Sequence, residues 1–163
     1  NHKNLESLER VCDYLKNEFM KYGLAPAEQK FLVKGLVYKN ILASYNTEKQ
    51  RRLIVGAHYD VCGDQPGADD NASAVAGLLE IARIYRSSGA TPKRSILIVM
   101  VTGEEMGLIG SSYFAANPTV PKASIVADVN TDMPTVIAPL LSIVPLGAEH
   151  SSIMNNVKFA VLP

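Results

Sequence analysis

The chain has 163 residues, with 16 Lys and Arg against 16 Asp and Glu, so its formal net charge is zero. Hydrophobic residues make up 47% and charged residues 20%, the balance of one soluble globular domain spanning 1–163. With no basic excess to neutralise phosphates, nucleic acid and anionic membranes are not expected partners, and no apolar run approaches the ~18 residues of a membrane span.

The polar opening Asn1-His2-Lys3-Asn4 does not read as a signal peptide and leads straight into a helix pattern. Leu5, Leu8, Val11, Leu15 and Phe19 recur at three- and four-residue steps, with Glu6, Glu9, Asp13 and Lys16 off that stripe. This spacing predicts an amphipathic helix over 5–22, stopped at Gly23. Extended stretches follow near Phe31–Val33 and Val37–Tyr45, and the charged segment Asn46–Arg52 reads as a turn. Three short runs rich in Ile and Val come next: Leu53–Ala57, Ile96–Val101 and Ser124–Val129. They do not alternate with polar residues, which predicts strands buried on both faces of a parallel sheet. Helix patterns separate them, at about Ala72–Ser88 and Leu108–Ala116. Strand, helix, strand, helix, strand implies βαβ units with right-handed crossovers. Cys12 and Cys62 form no zinc-finger or CxxC spacing and read as two free, partly buried thiols.

The chemistry-bearing residues fall at the ends of the apolar runs. His58 follows the first, Glu104 and Glu105 follow the second after Thr102-Gly103, and Asp132 follows the third. Asp70 joins them from Gly67-Ala68-Asp69-Asp70-Asn71, at the entry to a helix. Parallel sheets bind ligands beyond the carboxyl ends of their strands. Taken singly, each residue has an ordinary role as a surface histidine, a helix cap or a solvated carboxylate. Together they place one imidazole and several carboxylates at one rim, where like charges repel unless a cation or protons intervene. The donor set suits zinc, with manganese and cobalt open on ligand type alone. Neighbouring side chains on extended backbone diverge, so one of Glu104 and Glu105 can bind metal while the other handles a proton. Asp60, two residues past His58, is placed to orient the imidazole through its carboxylate.

Four ordered motifs now stand in the sequence: Gly56-Ala57-His58-Tyr59-Asp60, Gly67-Ala68-Asp69-Asp70-Asn71-Ala72-Ser73, Thr102-Gly103-Glu104-Glu105-Met106-Gly107-Leu108-Ile109-Gly110-Ser111 and Asn130-Thr131-Asp132-Met133. In order and spacing they resemble the co-catalytic two-zinc aminopeptidases of clan MH, which include bacterial secreted leucyl aminopeptidases. The resemblance implies a three-layer α/β/α fold with a mixed, mostly parallel central sheet. It implies two zinc ions in an intact site, with His58 and Asp132 on one, Asp70 bridging, and Glu105 on the second. Glu104 is then the general base and Asp60 the support for His58, and a cis peptide is expected at Asp70-Asn71. Peptides with a free N-terminus are the implied substrates, and export the implied location. The family takes a last zinc ligand from a histidine well downstream of the Asp132 position. No matching motif follows here, and His150 resembles a different family segment, so the chain is expected to lack the family's C-terminal portion. Two other functions stay open: a glutaminyl-cyclase-like single-zinc acyltransferase, faintly echoed in Ser73-Ala74-Val75, and an inactive fragment of the peptidase fold.

Overall fold

The computed structural model describes residues 4–135 and 144–161. Helix α1 (Leu5–Lys21) is capped by Asn4, whose side-chain oxygen accepts from Ser7 N–H at 3.0 Å. It ends where the stop residue was expected. Gly23 takes φ +72°, and the amides of Leu24 and Gly23 reach back to the carbonyls of Phe19 and Met20. That paired bonding satisfies carbonyls the helix end would leave bare. Leu8, Cys12, Leu15 and Phe19 form the buried stripe of α1.

Strands β1 (Ala27–Val33) and β2 (Leu36–Tyr45) form an antiparallel hairpin. After them come β3 (Arg52–His58), α2 (Ala74–Ser88), β4 (Ser95–Val101), α3 (Ile109–Ala116), β5 (Ile125–Asn130) and α4 (Ile153–Val161). The sheet order is β1-β2-β4-β3-β5. Pairings β3–β4 and β3–β5 are parallel, and β2 is antiparallel to both its neighbours. Only β2 therefore runs against the rest, which makes the sheet mixed and mostly parallel in direction.

Strand β4 is buried at every position, as its unbroken apolar run requires. Its alternate residues serve two cores. Ile96, Ile98 and Met100 pack with α1 and α2, while Leu97, Val99 and Val101 pack with Phe114 of α3 on the other face. The result is an α/β sandwich with helices on both sides of the sheet. The chain crosses from β3 to its neighbour β4 through α2, then returns past β3 to reach β5 through α3. Reversing direction moves the second helix to the opposite face, as two crossovers of one hand demand.

Three expectations need correction. The run Ser124–Val129 does form a strand, β5, but it is half-buried at first and exposed from Asp128 onward. Among the described residues β5 pairs only with β3, so an apolar run alone did not distinguish an outer strand from a central one. Helix α2 begins at Ala74 rather than near Ala72, because residues 68–73 form an irregular turn in which Asp70 and Asn71 leave helical backbone angles. Cys12 is buried with its sulfur 3.0 Å from the Tyr59 hydroxyl, whereas Cys62 is exposed; both are free.

Candidate metal centre

The site lies where helices leave adjacent strands toward opposite faces. His58 ends β3, whose chain turns to α2. Thr102–Glu105 follow β4, whose chain turns to α3. Such a divergence opens a crevice at the carboxyl edge of a sheet. Backbone bonds carry the strand geometry into the crevice: Tyr59 N–H donates to Val101 O, and Thr131 N–H to Gly56 O, each at 2.9 Å.

His58 is 1% exposed, and its Nδ1 lies 3.1 Å from the main-chain carbonyl of Asp60. A carbonyl only accepts, so Nδ1 carries a hydrogen, and in the neutral ring, the form that binds a metal, Nε2 presents its lone pair. That Nε2 is buried without a hydrogen-bond partner among the described residues. It lies 3.1 Å from Asp70 Oδ1 and 3.5 Å from Asp132 Oδ1. One ligand atom from each of His58, Asp70 and Asp132 lies within 4.8 Å of the others. A buried acceptor facing two carboxylates is unfavourable without a proton or cation between them. One imidazole and two carboxylates are a common zinc donor set, and the half-exposed Asp70 and Asp132 leave the solvent side open. The residues fit the metal.

The surrounding charges show in the proton affinities. Burial pulls the His58 imidazole down, but Asp60, Asp132 and Glu104 outweigh it and raise it to about 9 in the absence of a cation. Burial raises the Glu104 carboxyl above the usual carboxylate range, with His58 opposing and Glu105, Asp132 and Asp60 adding to it.

Glu104 and Glu105 stand on a single turn entered at Gly103 with φ +71°. Glu105 lies outside the His58–Asp70–Asp132 trio, yet its Oε1 is also buried without a hydrogen-bond partner among the described residues. Asp60 reaches the imidazole with its main chain as well as with the carboxylate the sequence suggested. Its carbonyl holds the imidazole, while its carboxylate, 3.6 Å from Nδ1, accepts the N–H groups of Glu104 at 3.1 Å and Glu105 at 3.3 Å. One aspartate thus ties the histidine to the glutamate turn. Gly67 opens the Asp70 segment at φ +66°, where a Cβ would stand 2.1 Å from Val61 Cγ1 and 2.9 Å from Asp70 O. The peptide Asp70-Asn71 is cis. His150 is exposed and stands 3.5 Å from Glu149.

Sequence reasoning passed over Asp69 and Asn71. Asn71, 1% exposed, donates from Nδ2 to Thr131 O at 3.0 Å and accepts Met133 N–H on Oδ1 at 3.2 Å. Asp69 Oδ1 accepts the Thr135 N–H at 3.3 Å and the Thr135 hydroxyl. The only hint was the run of polar residues beside Asp70, which reads as a turn when its partners 60 to 66 positions away are unknown.

His58, Asp70 and Asp132 thus form a possible metal-binding trio at the carboxyl edge of a mixed α/β sheet. Residues 40–161 match the family model described as Peptidase family M28, and the chain belongs to that family. It is 36% identical over 137 residues to the Escherichia coli K12 protein named "Uncharacterized protein YfbL", an alignment covering 76% of this chain and 42% of that protein. Porphyromonas gingivalis glutaminyl cyclase is similar in structure, with TM-score 0.68 and 31% identity, over 77% of this chain and 52% of that one. A Zn-dependent exopeptidase from Parabacteroides distasonis gives TM-score 0.65 and 27% identity, over 77% and 53%. The chain therefore spans about half the length of these proteins.

Proposed function

We propose that this chain carries the metal-binding part of a zinc exopeptidase that removes N-terminal residues from peptides, within one catalytic domain that includes residues 1–163. The observation that carries the proposal is the buried Nε2 of His58, without a hydrogen-bond partner among the described residues and turned toward Asp70 and Asp132 by its Nδ1 bond to Asp60. His58 and Asp132 would hold one zinc, Asp70 would serve two, and Glu105 would bring its buried Oε1 to the second. Bound zinc supplies a Lewis acid for the scissile carbonyl and lowers the pKa of water at the site. The protein groups handle position and protons. Glu104, with its carboxyl raised by burial, accepts a proton from the attacking water and returns it to the leaving amine. Asp60 keeps that base and the imidazole in register by bonding both. Export accompanies the proposal on family resemblance, and fractionation of cells expressing the intact protein tests it.

A second activity, cyclisation of N-terminal glutamine, is favoured by the glutaminyl cyclase likeness, whose TM-score matches the exopeptidase's within 0.03. The deciding experiment measures bound zinc in the intact protein and then offers it an aminoacyl-anilide and a glutaminyl peptide. Zinc-dependent anilide hydrolysis supports the exopeptidase. Cyclisation without hydrolysis transfers the assignment to the acyltransferase, and neither activity with zinc bound rejects both.

A further inference from the structure

We propose that Asn71 is a positioning residue for the metal ligand Asp132, with Asp69 as a second tie on the same loop; the inference rests on the metal site described above. Asp132 needs such help. It stands on irregular backbone just beyond β5, whose last three residues are exposed. Its own side chain is 46% exposed. On the strand side, the Thr131 N–H bond to Gly56 O holds this loop. A carboxylate on irregular, exposed backbone must surrender conformational freedom when it takes a cation.

The Asn71 amide removes that freedom in advance. Its two ends bond the main chain immediately before and immediately after Asp132, at Thr131 O and Met133 N. The partners fix the amide's orientation, since the carbonyl of Thr131 can only accept and the Met133 N–H can only donate. Two residues further on, Asp69 Oδ1 receives both the amide and the hydroxyl of Thr135. Three consecutive residues thus divide the work. Asp70 faces His58 at 3.1 Å, while its neighbours on both sides grip the loop that delivers Asp132. The ligand from the α2 entry and the ligand from the β5 exit become one preassembled unit. An aspartate at position 71 would keep the acceptor and lose the donor, and alanine would lose both.

A purely structural role, satisfying two buried backbone groups, would lower stability but leave zinc affinity unchanged in molecules that remain folded. The experiment therefore measures zinc affinity by chelator competition on intact protein, at a temperature where far-ultraviolet circular dichroism shows each variant folded. Asn71→Ala should bind zinc about 10- to 100-fold more weakly, the loss typical when a group orienting a metal ligand is removed. If that variant does not fold, Asn71→Asp takes its place. An added carboxylate near a cation would by itself strengthen binding, so weaker binding there isolates the lost amide donor. At the exposed end, Thr135→Val should weaken binding about threefold, the size of one net hydrogen bond, and Thr135→Ser should restore it. His58→Ala is the control. If it binds zinc like the parent, the metal site itself is wrong. If it loses zinc while a folded Asn71 variant keeps parental affinity, the positioning role alone is overturned.

Discussion

Replacing Asp60 by Asn tests the joint between the histidine and the glutamate turn. The carboxylate is buried and receives two main-chain N–H groups, Glu104 on Oδ1 at 3.1 Å and Glu105 on Oδ2 at 3.3 Å. An amide keeps one acceptor oxygen and turns an NH2 toward the other N–H. The variant loses one charge-assisted hydrogen bond, worth about 1.5–3 kcal/mol. The longer of the two bonds is the one the amide can give up, so ~2 kcal/mol is the expected cost. In a domain of this size each kcal/mol lowers Tm by about 2–4 °C, giving a fall of about 4–8 °C. The carbonyl bond to His58 Nδ1 is main chain and survives, so the ring keeps its orientation. The ring loses the nearby charge that opposes its burial, and its pKa should fall from about 9. Thermal unfolding with chelator present and an NMR titration of the His58 ring measure the two effects. A Tm change under about 1 °C with an unmoved titration would refute this account of Asp60.

In chelated protein the His58 pKa of about 9 lies above the unfolded value of 6.5, so its contribution to stability is full below pH 6.5 and lost as pH rises through 9. Urea unfolding across that window should show the loss with chelator and a smaller one with zinc, because a ligated imidazole does not titrate; equal slopes would contradict it. Glu104→Gln in the intact protein should keep its zinc and lose at least about 100-fold in peptide turnover, the usual worth of a positioned base; near-parental hydrolysis removes Glu104 from that role. Asp70→Asn should weaken binding of both metal ions, and unchanged metal stoichiometry rejects the bridging role. Gly67→Ala should cost about 2–3 kcal/mol, since its Cβ meets both an unfavourable φ and the Asp70 carbonyl; a urea midpoint shift equivalent to less than ~0.5 kcal/mol would refute it.

Much of this was legible from the chain because it rests on local rules. Heptad-like spacing and Gly23 set α1 to within a residue of its observed end. The Ile- and Val-rich runs gave the strands, and a residue that follows a parallel strand must emerge at the sheet's carboxyl edge. That rule alone brought His58, Glu104, Glu105 and Asp132 to one rim. Periodicity did not reveal that β5, reached by doubling back past β3, is the outer strand among the described residues, because strand order depends on which neighbours the apolar faces find. It also missed that the main-chain carbonyl of Asp60 reaches His58 beside its carboxylate, since a residue name does not say what its backbone will touch.

The sequence by itself determined the set of candidate ligands, their order and their exit from strand ends, because residue type and strand period are properties of short segments. Tertiary structure alone decided that Nε2 of His58 lies buried without a hydrogen-bond partner among the described residues. It alone made Asp60 a joint to the Glu104–Glu105 turn, and turned Asn71 and Asp69 toward the loop of Asp132. Those bonds join residues 44 to 66 positions apart. Hydrogen-bond partners at that separation are chosen by how two strands dock, which no local pattern records.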